Sequence, residues 1–339
     1  MSGPRRRQTP TSIDVALLAG VSKSAVSRSF TDGGTVSAQT RTRVIEAARA
    51  LGYKPNPIAR SLSTRRSAIV GLAMGYMDQL YAPLLTLLSE RLNREGLRLL
   101  LFKADPDHIA DRELDKIINY NVDALVLASV RLSSEFARHC QQVRIPVIQF
   151  NPTLEAHPLS SITGSDEEGG RKIGELLLAG GHRRFAFMSG FHGTLTSEAR
   201  RRGFEQVLQA AGFPRPIYDS GGFTFEGGLL AARRLLSAPE PPDAIFCAND
   251  SMACATIDIA RREHGIAIGS ALSVVGFDNE PIASWPLFDL TTFTLPLDQT
   301  VDEIIALMKR MWADPADLID SIVPGELIVR GSTRQPTTK

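Results

Sequence analysis

The stretch Ser12-Ile13-Asp14-Val15-Ala16-Leu17-Leu18-Ala19-Gly20-Val21-Ser22-Lys23-Ser24-Ala25-Val26-Ser27-Arg28 brings two helix starts and a helix stop close together. Ser12 is placed to cap a helix running to about residue 18, Gly20 breaks it, and Ser22 is placed to cap a second from Lys23 to about Phe30. A third, capped by Ser37, is expected from about Ala38 to Leu51. In a helix-turn-helix the first helix needs a small residue where the second crosses it. The turn needs a residue tolerant of positive φ, and the second helix needs an apolar anchor on its inner face. Ala16, Gly20 and Val26 stand in those places. Val26 and Phe30, four apart, face inward, and Lys23, Ser24, Ser27 and Arg28 share the opposite face. Such donors suit base edges and phosphates in a major groove, so with Ser12 and Thr31 they are the candidate DNA contacts of this segment. The alternative is a small three-helix bundle with a solvated basic face.

The distribution of charge favours the first reading. Residues 1–66 hold 12 Lys and Arg against 3 Asp and Glu, net +9, and residues 67–339 hold 26 against 34, net −8. The total of +1 conceals a basic module joined to an acidic body. Lysine and arginine displace counterions condensed on phosphates, so this asymmetry is what nucleic-acid binding through one end requires. The first ten residues are basic and contain proline, and are expected to form a mobile arm. Arg5, Arg6 and Arg7 are followed by polar residues and no apolar core, so no signal peptide is expected. No apolar run approaches the length of a membrane span. Cys140, Cys247 and Cys254 lack paired His spacing, which supports neither a disulfide framework nor a zinc site and fits a reduced, cytoplasmic setting.

After Gly52 the run Tyr53-Lys54-Pro55-Asn56-Pro57 breaks the helical pattern, and residues 58–64 are long enough for two further turns of helix. From Ala68 onward the texture changes. Apolar runs at 69–74, 97–102, 124–128, 147–150, 185–188, 245–247 and 274–277, several separated by helix-length segments, read as buried parallel strands in βαβ units. The expected fold is a small all-α helix-turn-helix domain followed by an α/β body with doubly wound parallel sheets. The expected divisions are an arm (1–10), the helix-turn-helix domain (11–54), a linker (55–66) and the body (67–335). The body's strands fall into two groups about Thr163, which implies two lobes and a cleft. The first lobe takes about 67–164 and 296–325, including a late helix that returns to it, and the second about 165–295 and 326–335.

The opening segment resembles the lactose/galactose repressor family, which carries similar Asp-Val-Ala, Ala-Gly-Val-Ser and Val-Ser-Arg steps. The resemblance continues through Val36-Ser37, Thr40-Arg41, Val44, Ala47-Ala48, Leu51-Gly52-Tyr53, Pro55-Asn56 and Ala59-Arg60-Ser61-Leu62. It reappears in the body at Asp166-Glu167-Glu168-Gly169-Gly170, Gly180-Gly181-His182-Arg183-Arg184, Arg200-Arg201-Arg202-Gly203-Phe204, Ala248-Asn249-Asp250-Ser251-Met252-Ala253 and Val274-Val275-Gly276-Phe277-Asp278. Each is weak alone; their order and spacing are specific. The resemblance implies that residues 58–64 are a hinge helix that enters the minor groove as a dimer, with Asn56 and Ala59 near DNA and Leu62 wedged between base pairs. Leu62 as an ordinary linker residue packing on the body is the competing reading.

The resemblance also implies a body similar to periplasmic sugar-binding proteins, closing around a small effector. Arg200 matches the arginine that grips effector oxygens, Asn249 and Asp278 match polar contacts, and Phe223 falls where a stacking aromatic is common. Tyr81 and Asn151 lie in further contact regions of the first lobe. Asn249 and Asp278 also follow apolar strands directly, where ligands bind in open α/β sheets. Two departures stand out: Asn151 replaces a usual aspartate, and Leu295 a polar residue, often glutamine, on the cleft wall. Losing a carboxylate while keeping Arg200 leans toward a sugar acid or phosphorylated sugar over a neutral sugar; Asp278 and Asp78 push the other way. His182 and His192 have no carboxylate or thiol at ligand spacing. His182, after a Gly-Gly helix stop, is expected to be a loop or capping residue.

Enzyme motifs are missing: no Gly-x-Gly-x-x-Gly follows a strand, and there is neither a Gly-Lys-Ser/Thr phosphate loop nor a Gly-x-Ser-x-Gly elbow. No cofactor or metal is expected. The sequence therefore predicts a cytoplasmic, homodimeric transcription regulator that reads a near-palindromic double-stranded DNA operator and senses a sugar-like or sugar-acid metabolite. Residues 331–339 contain no leucine heptads, which argues against a coiled-coil tetramer. The rivals are a regulator whose body only dimerises and a solute-binding protein with an incidental basic arm.

Overall fold

The computed structural model describes residues 10–30, 34–53, 67–75, 81–104, 111–130, 133–152, 159–191, 193–314 and 318–334. The expected linker helix at 58–64 lies outside these residues, as does the expected arm apart from Pro10. The chain forms two compact units, Met1–Ser67 and Ala68–Lys339.

The first unit holds α1 (Ser12–Ala19), α2 (Lys23–Ser29) and α3 (Ala38–Leu51). Its core is built from Val15, Ala16, Ala19, Val26, Val44, Ala47 and Ala48, with Phe30 and Tyr53 packed against it. Gly20 and Gly52 end α1 and α3 in the left-handed region, at φ 62° and 65°. The cap of α1 is Thr11 instead of the expected Ser12. Thr11 Oγ1 accepts from the Asp14 amide while the Asp14 carboxylate accepts from the Thr11 amide at 2.8 Å. Only a cap at position 11 puts a carboxylate three residues ahead to reciprocate. Ser22 and Ser37 cap α2 and α3 through the amides of Ala25 and Thr40.

The second unit begins with β1 (Ile69–Met74), α4 (Tyr81–Arg94), β2 (Arg98–Lys103), α5 (Asp111–Ile118), β3 (Ala124–Ala128), α6 (Ser134–Gln142), β4 (Val147–Phe150) and β5 (Ser160–Gly164). It continues through α7 (Asp166–Ala179), β6 (Phe185–Ser189), α8 (Leu195–Ala210), β7 (Ile217–Ser220), α9 (Phe225–Leu236), β8 (Ala244–Cys247), α10 (Asp250–Arg262), β9 (Ser273–Asp278) and a 3-10 turn (Pro281–Ser284). Last come β10 (Thr291–Thr294), α11 (Leu297–Ala313), β11 (Asp320–Val323) and β12 (Leu327–Ile328). The strands make two six-stranded sheets, ordered β11-β5-β4-β3-β1-β2 and β12-β10-β9-β8-β6-β7. Every pairing is parallel except β10 with β12. Strands β3, β6 and β8 are buried along their whole length, which is why they read as unbroken apolar runs.

The chain passes between the sheets three times, after β5, after β10 and between β11 and β12. Helix α11 packs Val301, Ile304 and Met308 into the core of the first sheet together with Leu84, Leu88 and Leu92 of α4. The crossovers are tied to one another. Ser165 donates its amide to the Val323 carbonyl at 3.1 Å, and its hydroxyl accepts from the Gly325 amide at 3.0 Å. A Cβ on Gly325 would lie 2.2 Å from the Thr294 carbonyl oxygen, so a larger residue would force that junction apart.

Candidate DNA-reading face and effector site

On α2 the side chains of Lys23, Ser24, Ser27 and Arg28 are exposed, opposite the buried Val26 and Ser29. Ser29 turns inward because its hydroxyl donates to the Ala25 carbonyl at 2.8 Å. Arg28 Nε donates to the Ser24 carbonyl at 3.3 Å, which lays the side chain along the outer face. Ser12, half-buried in the first turn of α1, is less open than these four. Thr31, Asn56, Ala59 and Leu62 lie outside the described residues. Sequence reasoning assigned no role to Arg41, whose two terminal nitrogens donate to the carbonyls of Ser29 and Gly34 at 2.7 and 3.0 Å. That fork fixes the end of α2 against the start of the next connection.

In the second lobe, the glycines of two quoted motifs let α7 and α8 approach closely. A Cβ on Gly170 would sit 2.1 Å from the Arg200 carbonyl oxygen, and one on Gly203 would sit 1.9 Å from that of Glu167. Only bare backbone fits, and the contact sets Asp166, at the start of α7, beside Arg200 on α8. Arg200 is 3% exposed. Its Nε donates to Asp166 at 2.7 Å, one terminal nitrogen donates to Asp278 at 3.1 Å, and the other donates to the Ala248 carbonyl. The guanidinium lies 3.6 Å from the centre of the Phe277 ring, within cation–π range. Each terminal nitrogen retains a second N–H.

Burial acts on every member of this triad. It pushes the Asp166 carboxyl up to about 6 against the pull of Arg200, and it raises Asp278 in the same way. Burial would lower Arg200, but the carboxylates of Asp278 and Asp166 outweigh it and hold the guanidinium above its ordinary value. The sequence leaned toward an anion for an open arginine fork. Instead the fork already holds two carboxylates.

Asn249 caps α10: its side-chain oxygen accepts from the Met252 amide at 3.0 Å, and its NH2 donates to the Phe223 carbonyl at 3.1 Å. Phe223 is half-buried, with a left-handed backbone at φ 56°. Its ring covers Gly190, where a Cβ would meet it at 1.9 Å, and lies 5.9 Å from Phe191. Arg200, Asp278, Asn249 and Phe223 thus form one connected cluster at the carboxyl ends of parallel strands. Sequence reasoning missed Asp166 and also Asp250, a fully buried carboxyl that accepts from Thr292 Oγ1 at 2.6 Å and from the Glu280 amide at 2.7 Å. Burial raises the Asp250 carboxyl well above the usual carboxylate range. Both residues sit inside quoted motifs, but their partners are distant in sequence.

In the first lobe Tyr81 is buried, and its hydroxyl shares a hydrogen bond with Ser129 Oγ at 2.8 Å. The ring meets Phe150 edge-on at 6.3 Å. Asn151 follows Phe150, half-buried, at φ 51°. Ser129, Asn151, Phe223, Asp278 and Asn279 are all left-handed, and strained backbone of this kind clusters where ligands are held. One expectation needs correction. Leu295 is no cleft-wall residue: it is 4% exposed and belongs to the first sheet's core, because Gly164 opposite it leaves room for its side chain. His182 is the expected loop and capping residue: after the left-handed Gly181 its amide donates to the Leu177 carbonyl at 3.4 Å, closing the end of α7, and its ring turns inward, where Nε2 meets Ser273 Oγ at 2.7 Å. Asp78 and His192 lie outside the described residues.

Comparison with known proteins agrees with this geometry. Residues 13–56 match a profile described as bacterial regulatory proteins, lacI family, and residues 174–333 one described as a periplasmic binding protein-like domain. The HTH-type transcriptional regulator DegA of Bacillus subtilis (strain 168) is 30% identical over 331 residues, covering 95% of this chain and 98% of that protein. The repressor CytR of Escherichia coli (strain K12) is 29% identical, covering 98% and 99%. A crystal structure of the lac repressor dimer bound to operator and the anti-inducer ONPF superposes with a TM-score of 0.87 at 24% identity, covering 96% of this chain and 100% of that one. A complex of the transcriptional regulator CelR with cellobiose gives 0.71 at 26% identity, covering 95% and 99%. No described helix is long and apolar enough to cross a membrane.

Proposed function

The chain belongs to the lacI family of bacterial regulatory proteins and is a DNA-binding transcriptional regulator, and we propose that it acts in the cytoplasm as a homodimeric repressor. Two copies of α2 read the halves of a near-palindromic operator, because one short helix contacts few base pairs. Its effector is a small, neutral, sugar-like molecule recognised by Arg200, Asp278, Asn249 and Phe223, with Tyr81 and Asn151 contributing from the first lobe. Relatives that match over nearly their whole length are transcriptional regulators, one of them in complex with cellobiose, which supports recognition rather than catalysis.

The observation that carries the effector reading is the buried triad of Arg200 between Asp166 and Asp278. With both carboxylates ionised the triad is net negative, so an incoming carboxylate or phosphate meets repulsion in a low-dielectric site. A sugar hydroxyl meets none: it donates to an aspartate oxygen and accepts from the remaining N–H groups of Arg200. The test is calorimetric titration of matched pairs, cellobiose with cellobionate and ribose with ribonate, followed by anisotropy of a selected operator duplex. The neutral partner of a pair should bind and shift operator affinity. Tighter binding of the acid overturns the charge assignment, and failure of purified protein to select any duplex overturns the DNA reading.

A further inference from the structure

Residues 330–334, Arg-Gly-Ser-Thr-Arg, are expected from the sequence in the second lobe and, from Gly331, to lack a leucine heptad; they form a strap stitched along β9 and β10. Ser332 is fully buried; its hydroxyl donates to the Val274 carbonyl at 2.6 Å and accepts from the Thr291 amide at 2.8 Å. Its amide donates to the Asp289 carbonyl at 2.9 Å. At one end of the strap Arg334 donates to the carbonyls of Gly180 and Ser270. At the other end lies the effector cluster. There Arg330 donates from one terminal nitrogen to the Leu290 carbonyl at 2.6 Å and from the other to Asn279 Oδ1 at 2.9 Å.

What Arg330 grips is a strained pair. Asp278 and Asn279 stand at φ 97° and 53°, and a left-handed backbone at two consecutive non-glycine residues persists only when its surroundings hold it. Other holds are the Leu295 amide on the Asp278 carbonyl at 3.4 Å, the Asn279 amide on Thr292 Oγ1 at 3.3 Å and the Glu280 amide on Asp250 at 2.7 Å. These act on backbone; Arg330 alone among these four binds the Asn279 side chain. We infer that Arg330 is a positioning residue for effector recognition, keeping Asn279 left-handed so that the neighbouring Asp278 carboxylate stays against Arg200. A lysine has no planar fork to reach two acceptors at once, so the role is specific to arginine. This assignment rests on the reading of Asp278 as an effector contact.

The test uses the full chain, with Arg330→Ala, Arg330→Lys and Asn279→Gly, the last keeping a left-handed backbone without the side chain that Arg330 holds. Hydrogen exchange of peptides spanning 276–283, followed by mass spectrometry, reads the hold without any effector. Arg330→Ala and Arg330→Lys should each raise exchange there about tenfold while peptides from β6 and β8 stay protected. Calorimetry with cellobiose and ribose reads recognition: for whichever sugar binds the wild type, affinity should fall about tenfold, the scale of one charge-assisted hydrogen bond. Arg330→Ala should have no further effect in the Asn279→Gly background, and operator affinity without sugar should be unchanged. Unaltered exchange at 276–283, exchange rising equally across the lobe, or full rescue by lysine overturns the assignment. If neither sugar binds the wild type, the recognition role falls with the effector reading, whereas the exchange result still reports the hold on Asn279.

Discussion

Replacing Arg200 by methionine should destabilise the body by about 3 to 5 kcal/mol, the usual consequence of removing one partner from a buried ion pair. Asp166 and Asp278 are 5% and 7% exposed, and both direct an oxygen at the guanidinium, at 2.7 and 3.1 Å. Without it, two carboxyls that burial already pushes upward lose the charge opposing that push. The folded protein can keep them only by binding protons, so the loss should be larger at neutral pH than near pH 5. Methionine keeps much of the side chain's length and leaves a hydrophobe where the charge lay over Phe277. Adding Asp166→Asn and Asp278→Asn to Arg200→Met should therefore recover much of the loss, since a neutral site of similar volume strands no charge. Urea unfolding followed by far-UV circular dichroism at two pH values reads each variant. A loss below about 1 kcal/mol for Arg200→Met, or no recovery in the triple variant, would refute the claim that these three groups form one electrostatic unit.

On the reading face, Lys23→Ala and Arg28→Ala should each weaken operator binding by about 1 to 3 kcal/mol if the contact is to a base, without changing the melting temperature; fluorescence anisotropy against salt concentration separates base from phosphate contacts. Because the folded Asp166 carboxyl titrates near 6 and the unfolded one near its ordinary value, the folded state binds the extra proton between those limits. Its contribution to stability is full below about pH 4 and declines as pH rises through about 6, so Asp166→Asn should flatten the wild-type fall in urea midpoint across that window. Gly203→Ala places a methyl group 1.9 Å from the Glu167 carbonyl oxygen, and the forced separation of α7 from α8 should destabilise by about 3 kcal/mol or more, measured by calorimetry.

How much of this was visible beforehand depended on whether the signal was local. Helices α1, α2 and α3 could be read because caps and stops lie within a few residues of what they act on, and the single slip, Ser12 for Thr11, came from overlooking the reciprocal carboxylate of Asp14. Seven strands showed as apolar runs. Strand β10 did not, since Thr291 and Thr292 are fully buried with their hydroxyls bonded to Arg330 and Asp250, which hydropathy alone does not reveal. Edge strands β7 and β11 are short and partly exposed, and they resemble loops in sequence. Arg200 and Asp278 were found by resemblance to a family; that they pair, and that Asp166 joins them, was not, because Asp166 and Asp278 lie 34 and 78 residues from Arg200 along the chain. The strap at 330–334 went unread for the same reason, its hydrogen bonds reaching back to Ser270, Val274 and Asn279.

The threefold passage between the sheets sets an order on events during synthesis. The ribosome completes the DNA-reading unit before it has made any of the body, and that unit carries its own core. Neither sheet can be finished until the ribosome has passed all the intervening elements, because β11 closes one edge of the first and β12 one edge of the second. A product terminated after α11 would therefore present the unpaired edge of β5 alongside an intact reading head. Such an edge invites pairing with other chains. A stop codon between α11 and β11 should consequently yield an aggregating polypeptide that still holds a basic face for DNA but has lost the strap that supports the sensing end.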